Sequence, residues 1–300
     1  MNSIEQNIPL KDKTSFRIGG PARYYAKVHT ESEIEEALSR AREKGEPVFI
    51  LGRGSNILIC DKGWPGLVLD ISEYSAISWN GSFALCQSGA PLHTLVKESV
   101  DRGLYGIEQL AGIPGSVGGA LIMNAGAFKQ AVSDCLVSVK GIDCSNYKIW
   151  ELEKEKIDFG YRTSSFKGKD TVLLEAEFQF CEGDIDDLKS VYHDILQKRS
   201  SKQPLDKPNC GSVFKNPEGY YAAALIEKCG LKGHCIGGAM VSEKHANFIV
   251  NVSDASASDV RKLIAFIQEK VYREQGILLE PEVVFVGEFE EALFVKKKGI

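Results

Sequence analysis

"RYYAKVHTESEIEEALSRAREKGEPVFILGRGSNILI", residues 23–59, holds a strand, a helix, a second strand and a glycine loop in that order. Residues 23–28 read as strand. Thr30 and Glu33 then form a T-x-x-E capping box. Ile34, Ala37, Leu38 and Ala41 follow at helical spacing, Gly45 stops the helix, and 47–51 is the second strand. The segment is a compact β-α-β unit. It runs straight into Gly52, Arg53, Gly54, Ser55 and Asn56. Successive amides in such a turn make a concave anion site; read alone, a plain β-turn serves equally well. It is no dinucleotide fingerprint of the G-x-G-x-x-G kind, because Ile57 stands where the last glycine belongs.

"AGIPGSVGGALIMNAG", residues 111–126, packs in five glycines, Gly112, Gly115, Gly118, Gly119 and Gly126. Fixing glycine costs chain entropy. Either the backbone turns sharply against itself here, or something comes close to it. With the loop at 52–56, two glycine-rich loops separated by a strand-rich stretch suggest a dinucleotide gripped from two sides.

Outward from these loops the chain stays mixed. Strands are expected at 66–71, 83–89, 135–142, 147–150, 171–180, 247–252 and 277–287. Helices are expected at 91–102, 185–199, 219–229 and 257–275. The helix over 185–199 would present Ile185, Leu188, Val191, Ile195 and Leu196 on one face. No internal repeat occurs, and the domain change is placed near 180–200. The 300 residues, 43% hydrophobic and 26% charged, suit a self-sufficient fold. A net charge of −5 argues against binding nucleic acid through bulk charge. No signal-type segment and no span-length apolar run is present, so a cytoplasmic protein without membrane insertion is expected. The eight cysteines contain no C-x-x-C; most are expected to be buried small hydrophobes, and no metal site is expected.

Four stretches can carry chemistry. Arg162 in "GYRTSSF" (160–166) can fork onto a carboxylate or phosphate, or simply form a surface ion pair. Ser212 in "NCGSVFKNP" (209–217) follows a glycine but lacks the G-x-S-x-G elbow; it can donate a proton or cap a turn. Lys198, Arg199, Lys202, Lys207 and Lys215 form a local positive excess. Lys198 and Arg199 suit a helix end, and the others can meet a diphosphate. Glu280 and Glu282 flank Pro281 and would share one strand face. None of the five histidines falls in a catalytic spacing.

In order, "TSFRIGGPA" (14–22), "LGRGSNIL" (51–58), "GIPGSVGGALIMNAGA" (112–127), "GYRTSSF", "KQP" (202–204), "CGSVFKNP" (210–217) and "LEPEV" (279–283) resemble the MurB-type UDP-N-acetylenolpyruvoylglucosamine reductases over residues 8–288. The resemblance implies an α+β chain with an FAD-binding region of the vanillyl-alcohol-oxidase/PCMH type and a C-terminal α/β substrate-binding domain. The expected division is 1–60 and 61–185 for two α/β FAD-binding subdomains and 186–300 for substrate. It implies an oxidoreductase of peptidoglycan precursor synthesis with non-covalent FAD and NADPH as electron donor. A hydride would pass from flavin N5 to C3 of the enolpyruvyl ether of UDP-N-acetylglucosamine, giving UDP-N-acetylmuramate.

By the same resemblance, FAD would lie against Gly52, Arg53, Gly54, Ser55, Asn56, Gly112, Ile113, Pro114, Gly115, Ser116, Gly118, Gly119, Ala120, Asn124, Ala125 and Gly126. Arg162 and Glu282 would stabilise the enolate, Ser212 would protonate C2, and Lys202, Lys215 and Asn216 would hold the diphosphate. The chain runs from "GYRTSSF" directly into "KGKDTVLLEAEFQF". It thus resembles the shorter, type II form, without the inserted tyrosine that covers substrate in other members. Tyr161, Tyr220 and Tyr221 are candidates to replace it. A monomer is expected. Two rivals remain: a flavin oxidase, disfavoured because no histidine lies in "LGRGSNIL" or in 106–127 to bond FAD covalently, and a non-catalytic nucleotide binder. The tail "EEALFVKKKGI" (290–300) matches nothing recognisable.

Overall fold

The structure, a computed structural model, describes residues 4–290 and residue 294; of the tail only Glu290 and Phe294 fall within it. Its helices are α1 (Glu31–Glu43), α2 (Leu92–Asp101), α3 (Val117–Ile122), α4 (Ile185–Lys202), α5 (Ala222–Lys228) and α6 (Ala257–Gln275). The described residues mix these with strands throughout, an α+β fold. The chain forms two compact units. One comprises 1–6, 24–53 and 66–199; the other comprises 7–23, 54–65 and 200–300.

In the first unit, α1 starts as its sequence dictates. Thr30 caps the amide of Glu33, and the Glu33 carboxylate accepts from the amide of His29 at 2.7 Å. Ile34, Ala37, Leu38 and Ala41 are all buried. The flanking strands Pro21–Lys27 and Val48–Leu51 are not neighbours, however. Trp64–Asp70 lies between them and pairs parallel to Val48–Leu51. Its five consecutive buried residues, Gly66 to Asp70, with Leu67, Val68 and Leu69 at their centre, explain the insertion: a strand buried on both faces belongs in a sheet's middle. A second sheet carries Leu136–Asp143 and Thr171–Gln179 at its centre. It packs α2 and α3 into a core with Leu95, Val96, Val117, Leu121, Val139 and Phe178.

Helix α4 extends three residues beyond the predicted end. Nothing stops it before Pro204, which disfavours helix at the residue preceding it. Arg199 is therefore inside the helix and Lys202 is its last residue. Ile185, expected on the apolar face, is 37% exposed, because the first turn is still clearing the fold; Leu188 and Ile195 are buried.

The second unit centres on α6. Its Ser256–Asp259 capping box and left-handed Gly276 bound the helix at the predicted residues. Val260, Leu263, Ile264, Ile267 and Val271 are buried in one cluster with Phe214, Leu225 and Ile249. Burying each such side chain contributes about 1.5–3 kcal/mol. The sheet beside it orders Asn209–Ser212, Phe248–Asn251, Ala239–Val241 and Cys235–Ile236. Helix α5 is shorter than the expected 219–229, because Gly219, at φ +74, precedes two exposed tyrosines. The expected strand over 277–287 shrinks to Val284–Val286, with Pro281 making only an isolated bridge to Phe214. A proline has no amide to extend the ladder. Four cysteines are buried rather than most: Cys60, Cys86, Cys210 and Cys229. Cys181 and Cys235 are exposed. No helix among the described residues is long and apolar enough to cross a membrane.

Candidate functional site

The glycines of the two loops have partners within the protein. A side chain at Gly52 would strike Ser116 Oγ, and one at Gly118 would meet Ser88 Cβ at 2.8 Å. Gly126 would meet the Gln130 carbonyl at 2.7 Å, and Gly112 would meet Arg199 Cδ and Leu196 Cδ2 at 3.0 Å. Gly54, at φ +59, sits on the backbone of Lys13 and Thr14. Much of the glycine content thus lets the backbone turn against itself. Gly119 differs: it is exposed, and among the described residues outside its own helix backbone a side chain there would meet only Ser116 Oγ, at 3.3 Å.

Ser116 caps α3 by accepting from the Gly119 amide, and the amides of Val117 and Gly118 donate to the carbonyls of Ala90 and Ser88. Those amides are consumed by the fold. By contrast, the amides of Gly52 and Arg53 donate to no acceptor among the described residues. An anion or an acceptor-rich ligand suits them. Ile113, Gly115 and Ala125 are half-buried, Pro114 is exposed and Ala120 is buried.

Arg162 sits at the tip of a two-residue hairpin, Phe159–Gly160 pairing with Thr163–Ser164. Its φ of +57 is uncommon for a residue with a Cβ. Its guanidinium donates to the Gly126 carbonyl at 2.9 Å and lies over the Tyr161 ring. Two further bonds dock the hairpin: Ser164 Oγ donates to the Ile122 carbonyl at 2.9 Å, and Asn124 Nδ2 to the Gly160 carbonyl at 3.1 Å. The glycine stretch and the "GYRTSSF" motif, separate in sequence, are one structure. Arg199 belongs with them. Burial, and then the positive charge of Arg162, hold its guanidinium below its usual range. Two cations gathered in one place suit an anionic partner. Sequence reasoning took Arg199 for a helix end; only the docking of α4 against Gly112 gives it this place.

In the second unit, Ser212 ends the strand Asn209–Ser212 at a register shift against Phe248–Asn251, with Gly211 at φ +79. A bulge of this kind re-aims a side chain. Val213, next along, accepts the Glu282 amide through its carbonyl at 2.7 Å. Glu282 also raises the pKa of buried Cys210, which burial chiefly pushes up to about 12. Ser212 and Glu282, seventy residues apart in sequence, are thus brought together. Asn56 Nδ2 donates to the Glu282 carbonyl at 3.4 Å, which ties the first glycine loop to the same place.

Glu280 and Glu282 do not share a strand face. Glu280 points out and pairs with Lys215 at 2.6 Å, whereas Glu282 is half-buried. Lys215 is thereby already committed to a carboxylate. Asn216 Oδ1 accepts from the Ala222 amide at the start of α5, and Lys202 is exposed. Asn247 escaped sequence reasoning. It is 4% exposed, and its side chain bonds both the amide and the carbonyl of Phe214. A lone asparagine in "KHANFIV" gives no signal of this.

Residues 203–286 match the family model described as "UDP-N-acetylenolpyruvoylglucosamine reductase, C-terminal domain", and residues 22–152 match an FAD binding domain. A UDP-N-acetylenolpyruvoylglucosamine reductase of Exiguobacterium sibiricum is 44% identical over 94% of this chain and 92% of its own length. The chain belongs to the UDP-N-acetylenolpyruvoylglucosamine reductase family. A reductase of the same name from Synechococcus is 43% identical over 97% of this chain and 93% of its own. The crystal structure of the Thermus caldophilus reductase superposes with a TM-score of 0.82, at 31% identity, over 96% of this chain and 100% of that one. As a member of the UDP-N-acetylenolpyruvoylglucosamine reductase family the chain is an oxidoreductase that carries FAD.

The residues present fit such a cofactor. In the first unit, Gly52 and Arg53 offer unused amides and Gly119 an open backbone. Asn124 Oδ1 is a buried acceptor without a donor among the described residues.

Proposed function

We propose that this chain reduces the enolpyruvyl ether of UDP-N-acetylglucosamine to UDP-N-acetylmuramate with electrons from NADPH, and that Arg162, Ser212 and Glu282 perform its part of the chemistry. Bound FAD supplies the two-electron transfer from NADPH to the substrate's vinyl carbon. What remains for the protein is to hold an anion and deliver a proton. The observation that carries the reading is the clamp at Val213, which fixes a bulged serine beside a half-buried glutamate inside the family's motifs.

Ser212 delivers the proton to C2. A hydroxyl is a weak acid in water, but an enolate carbon is a strong base, so a positioned serine suffices. Arg162 meets the substrate carboxylate with a forked, permanent charge, where negative charge grows during reduction. Glu282 supports the same anion by hydrogen bonding. Lys202 and Asn216 take the diphosphate; Lys215 joins them when its pairing with Glu280 opens. FAD lies against the loops 52–56 and 112–126, within the region 1–185 assigned to the cofactor, and 186–300 serves the substrate. The direct passage from Ser164 through 165–170 into Thr171–Gln179 supports the shorter form of the family.

The test is anaerobic. Purified protein is reduced with NADPH, the enolpyruvyl UDP-sugar is added, and the flavin absorbance is followed. Rapid return of the oxidised band without oxygen is expected. Recovery only on admitting air would identify an oxidase, and absence of a flavin band after adding FAD would overturn the reading.

A further inference from the structure

Asn124 is the residue immediately after the C-cap of α3, in left-handed conformation at φ +42, a role asparagine fills after glycine. Its side chain has two ends. Nδ2 donates to the Gly160 carbonyl, the residue that opens the Arg162 turn. That bond also fixes which end is the amide nitrogen, since a carbonyl accepts only from a donor. Oδ1 is fully buried and meets no donor among the described residues. Leaving such an acceptor unmet is costly, so a donor from outside the chain is called for. Asn124 lies between Gly119 and Gly126 in the stretch assigned to the cofactor.

We infer that Asn124 is a positioning residue that couples cofactor binding to the placement of Arg162: its oxygen accepts a hydrogen bond from an N–H or O–H of bound FAD while its nitrogen holds the Arg162 turn. This rests on the proposed function. Ser164 is the control, because its bond to the Ile122 carbonyl docks the same hairpin and leaves the Asn124 oxygen untouched. The Asn124 side chain, already bonded to the Gly160 carbonyl, would be held more firmly when its oxygen is also engaged, which stiffens residues 159–164 and steadies the substrate's carboxylate site.

The experiment uses the full-length protein stripped of FAD and three variants: Asn124→Gly, which keeps the left-handed backbone without strain, Ser164→Ala, and Arg162→Lys. FAD affinity is measured by flavin fluorescence quenching, and amide hydrogen exchange over 159–165 is measured with and without FAD. Asn124→Gly should weaken FAD binding about tenfold, the worth of one well-made hydrogen bond. It should also abolish the slowing of exchange that FAD produces in the wild-type. Ser164→Ala should bind FAD within about threefold of wild-type and retain the FAD-dependent slowing. Ser164→Ala should raise the substrate KM while NADPH still reduces the flavin at the wild-type rate. Asn124→Gly binding FAD as tightly as wild-type, or gaining the same protection from it, overturns the inference. Wild-type that fails to bind FAD, or Arg162→Lys with unchanged substrate KM, overturns instead the function on which it rests.

Discussion

Asn247→Ala should destabilise the protein severely, although Asn247 touches no residue assigned to catalysis. Its side chain accepts from the Phe214 amide at 3.0 Å and donates to the Phe214 carbonyl at 2.8 Å. In effect it supplies the missing partner for one residue of strand. Phe214 is 1% exposed, so water cannot replace either bond. Truncation strands two buried backbone groups at about 1–3 kcal/mol each, or about 2–6 kcal/mol in all. Against a total stability of about 5–15 kcal/mol this is a large fraction. Urea denaturation with an unchanged m-value reads the loss directly. Because Val213 pairs with the Asn247 backbone and also holds the Glu282 amide, the folded fraction should lose substrate reduction before it loses flavin reduction by NADPH. A loss of stability under about 1 kcal/mol would refute the reasoning, since it would mean that the two Phe214 groups find partners elsewhere.

Ser212→Ala should leave flavin reduction by NADPH intact and slow the return of the oxidised band by about 10²–10⁴-fold; equal loss in both half-reactions would make Ser212 structural. Lys202→Ala should raise the substrate KM and spare NADPH turnover with an artificial acceptor, and an unchanged KM would remove Lys202 from the diphosphate site. Tyr25→Phe should remove an alkaline sensitivity. Burial and then the bond to Asp70 raise the Tyr25 pKa above its ordinary 10, so the folded state keeps that proton longer than the unfolded chain. This contribution is whole below pH 10 and lost as pH rises beyond it. Wild-type should therefore lose stability more steeply than the variant above pH 10, and parallel curves would contradict the assignment. Iodoacetamide at pH 8 should label Cys181 and Cys235 first, because they are exposed, and spare Cys210, whose burial pushes its thiol up to about 12; mass spectrometry of the digested protein decides.

The local signals that held are those whose physics is local. The capping residue at Thr30, the helical spacing of Ile34 to Ala41 and the stop at Gly45 need only their own neighbours, and they placed α1; the bounds expected for α6 held in the same way. The family was equally legible, because its motifs are short stretches standing in a fixed order along the chain. Position across sequence was not. Periodicity has no information about which strand lies between two others, so the place of Trp64–Asp70 went unseen. Glycine-rich sequence reports that side chains are excluded and does not report by what. Only the folded chain shows Gly52 against Ser116 and Gly112 against Arg199, while Gly119 stays open. A single polar residue such as Asn247 or Asn124 carries no pattern at all. Its meaning arises when folding removes water from around it, because only then must each polar atom find a named partner.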